Sequence, residues 1–379
     1  MSTDSDCRTI NLLIEIDTSK NRVLYLGKDI FHQPIGGRRL LCKLNQVSLQ
    51  KIYGNNLMIF ELTQTRLSGI KEYINAFRGY IDGINEANIN ILIKLIEEHQ
   101  ITQIFVDGSN LGGFTAALKQ KISHLEITTF FHNVEARFFW GSFRSHKSLH
   151  ALGVLIANYL AERMTVKYSD KLVCLCDRDS RLLKKLYGRS ATHISPMALE
   201  DRFPQTNFKE TPNSVNGFAI FVGGSFYANS EGIAWFVREV VPRIKVHLFI
   251  VGHGFEALRA EFEVPDKVTV VGAVDSLENW YRSAQFVIAP IFDGSGMKTK
   301  VAEALMHGKK IVGTPEAFSG YEDVVKEAGW VCNTADEFVT AIAEAHTQIT
   351  QTFNPTLRGF YEKYYSMAAA QARLREILA

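Results

Sequence analysis

Four short apolar runs in the second half of the chain each lead into glycine, and this pattern constrains the fold more than any other feature. Phe218–Val222 is followed by Gly223-Gly224, Val246–Val251 by Gly252-His253-Gly254, Val268–Val271 by Gly272, and Phe286–Pro290 by the turn Asp293-Gly294-Ser295-Gly296. A strand with no polar alternation is buried on both faces, which requires a parallel sheet with helices on either side. A helical pattern from about Asn229 to Val241, stopped by Pro242, supplies one such crossover. The fold class is therefore α/β. In open α/β sheets, ligands bind beyond the carboxyl ends of the strands, where these glycines gather.

The fourth of these turns carries the most chemistry. Phe292-Asp293-Gly294-Ser295-Gly296-Met297-Lys298-Thr299-Lys300-Val301-Ala302-Glu303 joins a strand end to a helix start, and Lys310–Gly313 follows as another strand. Glycines let backbone N–H groups approach an anion, and the helix start adds about half a positive charge. Lys298 and Lys300 add full charges there, and Glu303 could accept hydrogen bonds from sugar hydroxyls. The segment suits a phosphorylated sugar, most simply a sugar nucleotide. Lys300, Glu303 and His307 share one helical face, while Val301, Leu305 and Gly308 can face the sheet. The alternative is a plain structural turn, with Lys300 and Glu303 paired at the surface.

Length and composition narrow the options. A chain of 379 residues exceeds one ordinary core and predicts two domains. A net charge of +2 gives no reason to expect nucleic acid as a partner. The polar, acidic start Met1–Asp6 is wrong for a secretory signal, and no apolar run approaches the ~20 residues of a membrane span. Cys7, Cys42, Cys174, Cys176 and Cys332 have no zinc-like spacing. Buried thiols in a reducing cytoplasm fit best.

The first half follows the same plan less regularly. Asn11–Ile16, Arg22–Leu26, Leu57–Phe60, Ile104–Val106 and Glu126–Phe131 read as strands, and Leu172–Cys176 as the one that closes the sheet. Helical patterns run from Gly36-Gly37-Arg38-Arg39 to Gln50, from Ile84 to Glu98 and from Leu149 to Val166. The proline-containing stretch Ser195–Gly217 reads as a linker, giving an N-terminal domain over 1–208 and a second over 209–353. A final helical run, Thr356–Leu378, lies in a third segment, 354–379, that could pack back on the first domain.

The chain resembles the retaining glycosyltransferases of the glycosyltransferase group 1 family. The residues are Phe221-Val222-Gly223 with Asn229, Gly232-Ile233 and Trp235-Phe236, then Gly252 and Gly254, Gly272 and Val274, and Trp280-Tyr281. The most specific match is Gly294-Ser295-Gly296 with Lys300, Glu303-Ala304 and Gly308; in the first half, His132-Asn133-Val134-Glu135 and Gly36-Gly37 agree. The resemblance implies a GT-B fold, two facing Rossmann-like domains with a central cleft. It implies transfer of a sugar from a UDP- or GDP-linked donor to a glycan, lipid-linked or protein-linked hydroxyl, in polysaccharide or glycoconjugate biosynthesis, without metal or other cofactor. His132, Lys298 and Lys300 would be catalytic. Donor contacts would come from Gly36, Gly37, Gly223, Gly252, Gly254, Val274, Gly294, Ser295, Gly296, Met297, Lys298, Lys300 and Glu303, the last at the ribose.

Two positions depart from the broader family. Ser295 stands where many members carry an acidic residue, and Ser225–Asn229 replaces a loop that often holds Arg and Lys. A subset with Gly-Ser-Gly and lysines shares both changes. Asp177-Arg178-Asp179 resembles a metal motif but sits where aspartates cap helices. Arg137–Trp140 with Phe143, Arg144, His146 and Lys147 could meet acceptor sugars or the inner face of a membrane, or simply pack between elements. The rival functions are a degenerate sugar-nucleotide or glycan-binding module and a nucleotide-sugar epimerase.

Overall fold

The computed structural model describes residues 7–10, 21–28, 37–62, 70–81, 83–203, 217–294 and 296–379. Two compact units form, one of Met1–Pro196 with Ala370–Ala379, the other of Met197–Ala369. Most of the expected linker lies outside the described residues, as do Asn11–Ile16, Gly36 and Ser295.

The first unit contains β1 (Cys7–Ile10), β2 (Val23–Lys28), α1 (Gly37–Tyr53), β3 (Leu57–Leu62), α2 (Ile70–Phe77), α3 (Glu86–Glu98), β4 (Gln103–Asp107), α4 (Gly112–Lys121), β5 (Glu126–Phe131), α5 (Glu135–His146), α6 (Leu149–Tyr168), β6 (Lys171–Cys174), α7 (Asp177–Tyr187) and β7 (His193–Ile194). The strand order is β1-β3-β2-β4-β5-β6-β7. All pairs are parallel except β1 with β3. The apolar runs are buried as expected: Leu24, Leu26, Phe60, Ile104 and Val106 pack with Leu92 and Ile96 of α3 and Phe114 and Leu118 of α4. Leu172–Cys176 does not close the sheet. Its strand ends at Cys174, and β7 adds a further edge, at two residues too short to show a pattern. The Cys174 and Cys176 thiols are buried.

The second unit contains β8 (Ala219–Val222), α8 (Tyr227–Glu239), β9 (Leu248–Val251), α9 (Arg259–Phe262), β10 (Val268–Gly272), α10 (Glu278–Ser283), β11 (Phe286–Ala289), α11 (Thr299–Met306), β12 (Ile311–Gly313), α12 (Val325–Ala328), β13 (Gly329–Val331), α13 (Ala335–Gln348) and α14 (Pro355–Phe360). All six strands are parallel, in the order β10-β9-β8-β11-β12-β13. The order reverses beside β8, so the loops after β8, β9 and β11 meet at the switch point where such sheets bind ligands.

The last helical run is broken. After α14 the backbone widens into a π-helical turn, Tyr361–Tyr365, and Ser366 leaves helical geometry before α15 (Met367–Ile377). Ser366 Oγ accepts from Ala369 N at 3.2 Å, capping the new helix. Buried positions run Leu357, Tyr361, Tyr365 before the break and Ala370, Leu374, Ile377 after it, so the buried face changes phase there. No proline or glycine marks the point in the sequence. Among the described residues, no helix is long and apolar enough to cross a membrane.

Candidate functional site

At the carboxyl end of the second sheet the loops meet backbone to backbone. Gly223 and Gly252 follow β8 and β9 with φ of +157° and +148°. A Cβ on Gly252 would lie 2.0 Å from Gly223 O, so only glycine permits this approach. Helix α8 is drawn in as tightly: a Cβ on Gly232 would lie 1.9 Å from Pro290 O. The second turn of α8 is thereby fixed against the end of β11, and Asn229, one turn earlier, reaches Lys300 at the start of α11. Gly254 continues the β9 loop, and Val274 is half-buried in the loop after β10. The Glu256 carboxylate accepts from Gly254 N at 2.9 Å.

The turn before α11 has Gly294 at φ +141° and Gly296 at φ +64°. Met297 is buried and anchors it. Lys298 caps the helix in extended conformation, and its Nζ donates to Glu316 Oε1 at 2.7 Å and to Gly296 O at 3.0 Å. Lys300 is different. It is 6% exposed, its Nζ donates to Asn229 Oδ1 at 2.8 Å, and it lies 4.1 Å from the centre of the Phe221 ring. Burial brings its pKa down to about 7; Glu303 opposes that shift and Lys298 adds to it.

Glu303 accepts from Tyr281 Oη at 2.7 Å, and burial raises its pKa against the pull of Tyr281 and Lys300. The surface Lys300–Glu303 pair considered from sequence is not what forms: both side chains are drawn inward to other partners. His307 is buried too, stacked on Tyr281 with centroids 5.0 Å apart and planes 4° apart. Helix α11 is thus enclosed on the face that spacing alone left open to solvent.

In the first unit, Gly37 opens α1 and Arg38 donates to Glu135 Oε1 at 3.3 Å and Asn110 Oδ1 at 2.8 Å. His132 follows β5 and is buried, with Nε2 2.7 Å from Asp107 Oδ1 and 3.4 Å from Cys42 Sγ. Asn45 Nδ2 donates to the same Asp107 oxygen at 3.1 Å, and Tyr25 Oη donates to the other. Burial disfavours a charged ring, but Cys42 and Asp107 beside it hold the His132 pKa at about 10. Next to this group, Glu162 accepts from Glu135 N at 2.9 Å and Tyr187 Oη at 2.6 Å. Burial lifts its pKa to about 7. Asp107, Tyr25, Asn45 and Glu162 lie on separate elements with no shared spacing, so the sequence offered no signal for them. Asn229 and Tyr281 were visible within the resemblance but without a role.

Cys42, Asp107 and His132 bring one ligand atom each to within 4.8 Å of one another. Donors on one tetrahedral zinc, at roughly 2.0–2.3 Å from the metal, stand more than ~3 Å apart. The 2.7 Å contact between His132 and Asp107 is instead a hydrogen bond, and Asp107 is already held by Asn45 and Tyr25. The trio does not fit a metal. Asp177 and Asp179 occupy the first turn of α7, after Cys176 as N-cap, and Asp179 pairs with Arg178 at 3.2 Å. They serve that helix.

Residues 217–350 match the family described as Glycosyl transferases group 1. Sucrose-phosphate synthase from Thermosynechococcus elongatus superposes with a TM-score of 0.70 at 13% identity, covering 94% of this chain and 98% of that one. HepE from Anabaena, in complex with UDP, gives 0.64 at 13% identity, over 94% and 99%. The fold is GT-B. The lipopolysaccharide outer core galactosyltransferase WaaB shares it, at a TM-score of 0.64 and 13% identity over 94% and 99%. No curated protein matches the chain significantly. The family match falls within the second unit and includes the Gly294–Gly296 turn, Lys298, Lys300 and Glu303.

Proposed function

We propose that this chain is a retaining, metal-independent glycosyltransferase. It takes a sugar from a UDP- or GDP-linked donor and passes it to a hydroxyl on a glycan or a lipid- or protein-linked acceptor. The observation that carries this reading is Lys300, buried beside the Gly294–Gly296 turn with its charge facing no carboxylate at hydrogen-bond distance among the described residues. A buried cation at a glycine-rich helix start suits a diphosphate. HepE, of the same fold, is described in complex with UDP and with UDP-glucose, which fits a nucleotide-sugar donor.

In the reaction, the bond from the sugar's anomeric carbon to the diphosphate oxygen breaks as the acceptor oxygen bonds on the same face. The departing phosphate takes the acceptor's proton, so the face is retained without a protein nucleophile. Negative charge grows on that phosphate, and Lys300, Lys298 and the N–H groups at the start of α11 oppose it. Losing one such donor in other enzymes costs ~3–4 kcal/mol. Glu303 is assigned to the ribose and His132 to the transferred sugar. Trp140 at 47% and Leu149 at 89% exposure, near Arg144 and Lys147, favour an acceptor presented at a membrane surface.

Titration calorimetry of UDP, GDP and their sugar conjugates, with EDTA present, tests the donor site. Binding that Lys300→Ala weakens supports it; binding that requires a divalent cation removes the metal-independent mechanism. Ser295, where an acidic residue is common in the family, favours a second reading as a binding module without turnover. Donor consumption with sugar appearing on an acceptor would exclude that reading.

A further inference from the structure

Lys298 and Lys300 stand two residues apart, yet their surroundings differ. Lys298 Nζ meets a carboxylate, Glu316, at 2.7 Å. Lys300 Nζ meets the amide oxygen of Asn229 at 2.8 Å and lies over the Phe221 ring. Asn229 is itself 4% exposed, and its other amide atom, Nδ2, donates to Gly224 O at 2.7 Å. That second bond settles which way the amide faces: nitrogen to the loop carbonyl, oxygen to the lysine.

The surroundings are built around this pair. A Cβ on Gly223 would lie 2.7 Å from Asn229 Nδ2 and 3.2 Å from Lys300 Nζ. The close seat of Gly232 under Pro290 O fixes the helix from which Asn229 projects. The groups acting on the Lys300 charge are Glu303 and Lys298 of α11, Asn229 of α8 and Phe221 of β8. An ammonium has three protons to donate. Asn229 takes one and contributes no charge.

We propose that Asn229 is a positioning residue for the donor diphosphate: it fixes the Lys300 ammonium at the end of β8 while leaving its positive charge unneutralised. This rests on the reading of the second unit as a nucleotide-sugar site. A carboxylate of the same shape would still accept from the lysine, but it loses the bond to Gly224 O and cancels the charge that the diphosphate needs. Asn229→Asp and Asn229→Ala both lose the Gly224 bond, so the difference between them reads the added charge.

The test is titration calorimetry of UDP, GDP and inorganic pyrophosphate, with uridine and guanosine as phosphate-free controls, from pH 6 to 9. Asn229→Asp should weaken whichever diphosphate the wild type binds by about tenfold or more, with the nucleoside controls unmoved. It should also move the pH at which diphosphate affinity falls upward, because a new carboxylate keeps Lys300 protonated. Asn229→Ala, which adds no charge, should weaken diphosphate binding several-fold without that upward move, and it decides the matter should Asn229→Asp fail to fold. A diphosphate affinity and pH profile unchanged in both variants would overturn the inference alone. Failure of all three diphosphates to bind the wild type would overturn it together with the donor-site reading.

Discussion

His132 Nε2 lies 2.7 Å from Asp107 Oδ1, and both side chains are buried. The pair ties the end of β4 to the end of β5, with Tyr25 of β2 and Asn45 of α1 completing the shell around the carboxylate. Removing one member of a buried ion pair strands the other, at a cost of about 3–5 kcal/mol. Asp107→Asn should lose stability of that order at pH 7, measured by urea unfolding. The pH dependence follows from His132, whose pKa is raised from 6.5 to about 10. Its contribution is complete below pH 6.5 and is lost as pH rises through about 10. In Asp107→Asn the alkaline loss should shrink, because the ring no longer holds its extra proton. An equal alkaline slope in both proteins would refute the pairing.

The buried lysine predicts a pH-dependent ligand affinity. With its pKa near 7, Lys300 loses charge as pH rises through neutrality. A bound diphosphate favours the charged form, so affinity should be highest below pH 7 and fall above it, with proton uptake on binding. Lys300→Ala should weaken UDP or GDP by about 1.5–3 kcal/mol at pH 6.5 and flatten this profile. Calorimetry in buffers of different ionisation enthalpy reads the proton uptake directly. Uptake that persists in Lys300→Ala would assign the titration to another group.

Gly232 sets two effects against each other. In an exposed helix, Gly→Ala stabilises by about 0.8–1 kcal/mol. Here the added methyl would meet Pro290 O at 1.9 Å, and α8 would have to move off β11. Overpacking of this kind costs roughly 1–3 kcal/mol, so the clash should win and Gly232→Ala should lower the melting temperature. Because α8 carries Asn229, diphosphate affinity should fall too. A rise in melting temperature would mean that the helix has slack at this contact.

How far the sequence anticipates this molecule depends on how local each feature is. The Phe218–Val222, Val246–Val251 and Phe286–Pro290 runs announce parallel strands because burial on both faces leaves no polar alternation to confuse the pattern. The Gly294–Gly296 turn with Lys298 and Lys300 is contiguous, so its chemistry is visible in one line of sequence. The partners are another matter. Asp107 and His132 are 25 positions apart, and Asn229 and Lys300 are 71 apart; parallel strand order brings them together, and no short-range period encodes it. The same limit explains α11. Spacing put Lys300, Glu303 and His307 on one face, but burial of that face depends on Tyr281 and Asn229, which approach from other elements. The break at Ser366 escaped for a different reason: no proline or glycine marks it, and the only local sign is a shift in the phase of the apolar repeat between Tyr365 and Ala370.

Tyr281 offers a last separation, between ribose and phosphate. Its hydroxyl donates to Glu303 Oε2 at 2.7 Å, and burial already lifts the Glu303 pKa above its ordinary value. Tyr281→Phe removes a bond that favours the carboxylate, so that pKa should climb further. A carboxyl whose folded pKa is raised adds stability that is full below about pH 4.5 and lost as pH rises through the folded value. Tyr281→Phe should therefore cost little at pH 5 and about 1–3 kcal/mol at pH 8, where the carboxylate would be buried without its donor. If Glu303 holds the ribose, UDP or GDP should weaken in this variant while pyrophosphate is unaffected. Equal weakening of nucleotide and pyrophosphate would place the damage in the loop around Lys300 instead, and remove Glu303 from the ribose.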